Sequence, residues 1–373
     1  MTRPVRILHV HSTFSLGGKE ARACRLMNAF GDWAEHTILS AVHDALGARA
    51  AIDPSIRVDF PTDHPPIVGK PSPLRYLHLA RYMQRFDLVL TYNWGAMDAV
   101  GARRLYAPFL RLPPLIHHED GFNHDELDRQ KPARVWFRRL MLGAAQRVVV
   151  PSMKLERIAR EIWRQPDERV LRIANGIDLG EYVRSDEREL PAIGTLAGLR
   201  PVKNLPLLVR AFARSGMAGN LLIAGQGPER DGILAEAQAH GVADRVELPG
   251  HLAPADAVRR FDIFALSSDS EQQPISLIEA MAAGLPAVAT DVGDIRNMVA
   301  PANLPFIVPV GDEEGFAMAI ATLAADKALR RQIGDQNRDK ALQSFGEGQM
   351  IASYRALYAA AVGRDSPPTN SEA

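Results

Sequence analysis

The chain holds one cysteine, Cys24, in 373 residues. A lone thiol excludes an internal disulfide and any multi-cysteine zinc site, and it suits a reducing compartment. Net charge is also missing: 44 Lys+Arg stand against 44 Asp+Glu, so nothing global draws the chain to nucleic acid. No apolar run approaches the roughly 18 residues that a membrane span needs. The opening MTRPVRILHVHSTF offers only a few apolar residues before His9 and His11 interrupt, which reads as a first strand and not as a signal peptide. No pair of aspartates has D-x-D metal spacing, and no period of solenoid length repeats. These absences predict a cytoplasmic chain, at most peripheral on the inner face of the cytoplasmic membrane.

What is present is alternation. At 46% hydrophobic residues the chain can bury two cores, as its length also suggests. Short β-rich runs occur at Val5 to Val10, Thr37 to Ala41, Asp87 to Tyr92, Leu115 to His118 and Arg147 to Val150, separated by helix-length segments. Proline at 73 and 132 marks two helix starts, where a missing N–H costs least. The polar SDERELP (185–191) reads as a linker. Alternation then resumes at Ala192 to Leu196, Asn220 to Ala224, Val246 to Leu248, Ile263 to Leu266, Ala287 to Thr290 and Phe306 to Val308. The pattern predicts an α/β protein of two Rossmann-like, doubly wound domains, 1–184 and 192–345. A helix over 346–363 and a disordered tail over 364–373 complete the expected organisation. Charge divides with the chain: residues 1–180 carry 26 Lys+Arg against 19 Asp+Glu, the remainder 18 against 25.

In open α/β sheets ligands bind beyond the carboxyl ends of strands, so residues just after each strand are the candidates. After the first come Gly17 and Gly18, which either let a ligand approach the backbone and permit positive φ, or simply turn the chain into a helix. His117-His118-Glu119-Asp120 follows an apolar run. Adjacent residues cannot all turn to one metal ion, which leaves His118 as a sugar- or base-contacting group, or plain loop polarity. Arg200 and Lys203 stand on a loop that ends at Asn204, a candidate cap for LPLLVRAFA. Two cations at a helix N-terminus suit a pyrophosphate, and solvated surface charge is the bland alternative. The G-x-G at Gly225 lacks the third glycine of a dinucleotide fingerprint and fits a phosphate-proximal turn or a helix entry.

The stretch SEQQPISLIEAMAAG (270–284) sets Glu271 in a loop and Glu279 a turn into the next helix. Two carboxylates there can accept hydrogen bonds from hydroxyls at both ends of a nucleotide sugar, leaving the exposed N–H groups of the helix start for its phosphates, with Gln273, Pro274 and Ile275 as further candidates to line the donor. Taken singly, Glu271 would be a helix-dipole partner and Glu279 a surface charge.

Together with SLGGKEARACRLMNAF, VVVPSMKLE, IANGID, GLRPVKNLPLLVRAF, LLIAGQGPERDGIL and SEQQPISLIEAMAAGLPAVATDVGDIRNMV, that stretch resembles the retaining GT-B glycosyltransferases of the large family-four type. This family includes sucrose synthase and many bacterial lipopolysaccharide and polysaccharide transferases. The resemblance, over residues 15 to about 299, implies two domains facing each other across a cleft and a UDP- or GDP-type sugar donor. It implies that Glu271 contacts the donor sugar, Glu279 the ribose, and Arg200 with Lys203 the diphosphate. Gly17 and Gly18 would line the acceptor side and His118 would sit near the transferred sugar. Gln272 stands where the family commonly has glycine, and Asp294 and Asn297 where it often has glycine and an acid, which leaves donor identity open. The leaving diphosphate of such enzymes is thought to accept the acceptor's proton on the same face, so positioned cations carry the chemistry; no metal is expected to be obligatory.

The acceptor implied is a glycan or lipid-linked molecule. ARRLYAPFLRLPP (102–114) and RVWFRRLMLG (134–143) mix arginine with aromatic and aliphatic residues, as a segment resting on anionic lipid would. The alternative is that Trp136 and Leu140, four apart, face the core. Two other functions fit parts of the pattern: a sugar-nucleotide epimerase of the same fold, and a non-catalytic nucleotide-sugar-binding partner subunit.

Overall fold

The alternation resolves into two parallel sheets in a computed structural model that describes residues 3–122, 126, 130–184 and 188–365. Part of the expected linker (185–187) and of the expected tail (366–373) lies outside the described residues. The first sheet contains β1 (Val5–His11), β2 (Ala34–Ser40), β3 (Val58–Asp59), β4 (Leu88–Tyr92), β5 (Leu115–His118), β6 (Arg147–Val150) and β7 (Val170–Arg172), in the order β3-β2-β1-β4-β5-β6-β7. The second contains β8 (Ile193–Leu196), β9 (Leu221–Ala224), β10 (Val246–Gly250), β11 (Ile263–Leu266), β12 (Ala287–Thr290) and β13 (Ile307–Val308), in the order β10-β9-β8-β11-β12-β13. Interior strands such as β4, β5, β11 and β12 are buried along their whole length, as strands covered on both faces must be. Strands β3 and β7, two and three residues long, are too short to leave a periodic signal in the sequence.

Each sheet reverses its strand order once, between β1 and β4 in the first and between β8 and β11 in the second. The loops that leave such a pair of strands diverge to opposite faces and open a crevice. Arg200 and Lys203 follow β8, and Glu271 follows β11.

The chain forms two units, residues 1–173 with 350–373, and residues 174–349. The first division therefore precedes the polar segment expected to serve as linker. Residues 174–184 are held by the second unit: the Asn175 amide donates to the Gln273 side chain at 2.5 Å, Ile177 N donates to the Phe345 carbonyl at 3.0 Å, and Arg184 Nε donates to the Gly284 carbonyl at 3.0 Å. The last helix, Glu347–Val362, places Met350, Tyr354 and Tyr358 in the first unit's core beside Val5, Phe30 and Tyr92.

One helix turns opposite to the core-facing expectation. Pro132–Met141 sends Arg138 inward, where it is fully buried against the rings of Trp94, Phe122 and Trp163 and ion-paired with Glu126 at 3.2 Å. At 100° per residue, that orientation points Trp136 and Leu140 outward, and they are 67% and 56% exposed. No helix among the described residues is long and apolar enough to cross a membrane.

Candidate active site

The crevice loops of the second sheet are stitched together by side chains. After β8 the chain passes through a single 3-10 turn, Pro201–Lys203, into Asn204, whose φ of 45° is left-handed. Asn204 occupies the position before helix Leu205–Ser215 but does not cap it; its side-chain amide donates instead to Asp269 Oδ1 at 2.8 Å. The expected cap is thus a tie between loops. Ser267 Oγ donates to the Lys203 carbonyl at 2.9 Å, and Asp269 N donates to the Val202 carbonyl at 2.9 Å. Two residues after β11, Ser267 and Asp269, therefore fix where Lys203 stands.

Lys203 Nζ contacts Glu271 Oε1, an ion pair whose side chains are both largely buried. Ser268 Oγ donates to the same oxygen at 2.8 Å. Glu271 Oε2 has no partner among the described residues, and Arg200, exposed on the same loop as Lys203, pairs with no carboxylate among them. One carboxylate oxygen and one guanidinium are left available at the strand ends, beside a neutralised pair.

Glu279 is not the surface charge of the bland alternative. It is 6% exposed on helix Ile275–Ala282 and accepts a hydrogen bond from the Tyr182 hydroxyl at 3.3 Å. Gln273, expected to line the donor, is turned to Asn175: its Oε1 takes the Asn175 N–H and its carbonyl takes the Asn175 side-chain amide at 3.1 Å. Pro274 precedes the helix with extended geometry and Ile275 begins it. Gln272 and Asp294, two of the departures, are buried and joined by a hydrogen bond from the Asp294 amide to the Gln272 carbonyl at 2.9 Å, whereas Asn297 is exposed.

Gly225 has a structural reason to be glycine. With φ of 157° it lies against the loop after β8, and a Cβ would overlap the Ala197 carbonyl; Gly227, at the same φ, would meet that of Leu199. A cavity of about 430 Å³ opens beside them, lined by Gln226, Arg230, Leu248, Pro249 and Gly250.

The first sheet's strand ends hold a second polar group. Gly17 precedes helix Gly18–Phe30 with φ of −155°, ordinary extended backbone, and neither Gly17 nor Gly18 is among the positive-φ glycines, so that part of the expectation is corrected. One turn on, buried Arg22 grips Asp120 with two hydrogen bonds of 2.5 and 2.8 Å. Burial pushes the Asp120 carboxyl up, but the charge and hydrogen bonds of Arg22 more than offset this and hold it below its usual value.

His118 does not present a free nitrogen. It is 1% exposed, its Nε2 hydrogen-bonds the Tyr358 hydroxyl at 2.9 Å and its Nδ1 faces the Thr91 carbonyl at 3.3 Å. Burial, with the nearby Arg22 charge, lowers its pKa to about 3. The expectation of a sugar-facing histidine is corrected to a neutral core group, stacked on Tyr92 beside His9 and His11. Tyr182, Ser267, Ser268 and Asp269 are the site residues that the sequence did not single out. Among the described residues no group of three or more His, Cys, Asp or Glu could hold a metal ion.

Comparison with known proteins covers both units. Residues 16–181 match the family described as Glycosyltransferase Family 4, and residues 185–340 match Glycosyl transferases group 1. N-acetyl-alpha-D-glucosaminyl L-malate synthase of Bacillus anthracis is 27% identical over 52% of this chain and 54% of its own length. A GDP-mannose-dependent alpha-mannosyltransferase of Mycobacterium tuberculosis is 30% identical over 54% and 56%. The chain thus spans about half the length of the curated relatives it matches. Among solved structures, Anabaena HepE in complex with UDP superposes with a TM-score of 0.77 at 19% identity, over 95% of this chain and all of that one. Sucrose-phosphate synthase of Thermosynechococcus elongatus gives 0.76 at 19% over the same shares. Two doubly wound units, family matches across both and these structural neighbours make the conclusion plain: the chain belongs to the family-four type of GT-B glycosyltransferases.

Proposed function

We propose that this protein transfers a sugar from a nucleoside-diphosphate sugar of UDP or GDP type to a glycan or lipid-linked acceptor, with retention of anomeric configuration, in synthesis of a cell-surface polysaccharide or glycolipid. The observation that carries the reading is the half-used Glu271 carboxylate, clamped through Oε1 by Lys203 and Ser268 with Oε2 uncommitted. A fixed acceptor oxygen beside cations suits a ligand that brings hydroxyls and phosphates together. HepE structures with UDP and with UDP-glucose support a donor of this class.

In this reading Arg200 and Lys203 hold the diphosphate, Glu271 Oε2 takes a sugar hydroxyl and Glu279 the ribose hydroxyls. The bond from the anomeric carbon to the phosphate oxygen breaks as the bond to the acceptor oxygen forms on the same face, and the acceptor's proton passes to the departing phosphate oxygen. Charge accumulates on the diphosphate during this step, so prepositioned cations lower the barrier without reorganising.

A thermal-shift screen of the purified chain against UDP, GDP, ADP and their sugar conjugates, with and without magnesium, tests the donor. A ligand at 100 times its dissociation constant stabilises by about 2.7 kcal/mol. Stabilisation by one diphosphate that is lost in Lys203→Ala supports the site; no shift with any nucleotide removes it.

A further inference from the structure

Helix Pro132–Met141 exposes a face that ordinary packing would bury. Trp136 and Leu140 stand one turn apart on it, both outward. The Arg139 guanidinium lies 5.3 Å from the Trp136 ring centre while its Nε donates to the Ile162 carbonyl at 2.7 Å, so exposed Ile162 borders the same surface. The neighbouring helix, Met97–Tyr106, packs against this one and carries exposed Leu105, with Phe109 beyond its end 80% exposed. The Arg104 guanidinium lies near the end of the first helix, 4.0 Å from where a Cβ on Gly143 would stand.

Cations predominate in the two segments that carry these residues. Residues 102–114 and 131–143 carry seven Lys+Arg and no Asp or Glu, and of these Arg134 and Arg138 are taken up by Glu126. Arg104, Arg111 and Arg139 pair with no carboxylate among the described residues. Apolar anchors alone would suit a second copy of the chain, but that contact would bring these cations against each other, and like charges at an interface oppose association. An anionic bilayer suits both features: headgroups attract the guanidiniums while an indole and aliphatic side chains enter the interfacial layer.

We propose that this face docks the first unit on a bilayer containing anionic phospholipid. The proposal rests on the transferase reading only for its purpose, delivery of the enzyme to a lipid-linked acceptor; the surface itself is independent of the donor residues.

The test is sedimentation of the full chain with vesicles of phosphatidylcholine, with and without phosphatidylglycerol, at low and high salt. The expected result is binding that needs phosphatidylglycerol, weakens with salt and shifts tryptophan emission to the blue. Trp136→Ala should lower the partition constant more than about tenfold and abolish the shift, and Arg139→Gln should lower it about fivefold. Leu140→Ser, a second exposed change, guards against an effect of Trp136→Ala on folding, and melting temperature should be unchanged in all three. No binding to anionic vesicles, equal binding to both vesicles, or equal binding by Trp136→Ala overturns the proposal. So does a concentration-dependent dimer that Trp136→Ala dissolves. The nucleotide-induced thermal shift, measured on the same variants, keeps the two ideas apart: its absence would remove the donor reading while vesicle binding stood.

Discussion

Lys203 and Ser268, from loops on either side of a strand-order reversal, converge on one oxygen of Glu271 and leave the other free. An ion pair and a hydroxyl hydrogen bond on the same atom, both charge-assisted, fix the position and the rotation of the carboxylate. Ser268→Ala should therefore lower kcat about tenfold, a loss of one hydrogen bond to a charged group. The dissociation constant for free nucleotide should be unchanged, and Ser268→Thr should recover most of the rate. A matched fall in nucleotide affinity would show that the serine supports the whole loop.

Removing the cation has two separable effects. Lys203→Ala should cost about 10² to 10³ in transfer rate and should lower the melting temperature, because Glu271 is left largely buried without its partner. Adding Glu271→Gln to Lys203→Ala should recover melting temperature and no activity. Recovery of both would deny Lys203 a role in the reaction.

The two glutamates should divide the donor between them. Glu279→Ala should weaken free nucleotide and nucleotide sugar alike, whereas Glu271→Ala should weaken only the sugar-bearing ligand. Tyr182→Phe should reproduce part of the Glu279 effect by removing the hydroxyl that donates to it. Calorimetric titration of the diphosphate and of its sugar conjugate reads all three, and the opposite assignment would reverse the pattern.

Acid should unfold the first unit through its histidines. Burial holds His36 and His118 down to about 3, and pushes His9 and His11 well below the ordinary 6.5. Between those values the unfolded chain binds more protons than the folded one, so this stability is fully present above pH 6.5 and is lost as pH falls towards 3. Neither ring nitrogen of His11 has a hydrogen-bond partner among the described residues, although its ring stacks on Tyr92 at 4.0 Å. His11→Phe should keep the stack, leave melting at pH 7 unchanged or raised, and flatten the decline between pH 7 and pH 5. A steeper decline in that variant would place the acid sensitivity elsewhere.

Periodicity made the strands legible. The expected Leu115 to His118, Arg147 to Val150, Ile263 to Leu266 and Ala287 to Thr290 match the observed strands to the residue, because continuous apolar runs between polar breaks permit few other readings. Partners were not legible. His118 closes β5 and Glu271 follows β11, both polar residues at strand ends, yet one is enclosed by Tyr354 and Tyr358 from the far end of the chain while the other keeps an open oxygen. Spacing likewise put Trp136 and Leu140 on one face of a helix without saying which face turns inward, a choice set by the aromatic box around Arg138. The hydroxyls of Ser267 and Ser268 depend on tertiary register, and their only sequence signal was four polar residues, SSDS, directly after an apolar strand.

The first unit is assembled from both ends of the described chain, and its core includes Met350, Tyr354 and Tyr358. The second unit is one continuous stretch, 174–349. During synthesis the stretch that begins later can finish folding sooner, and the earlier unit must wait for three core side chains until the second has left the ribosome. The usual N-to-C order of domain completion is thereby inverted, and a chain released before residue 350 would carry a finished second unit beside a first whose core lacks the phenol that closes on His118.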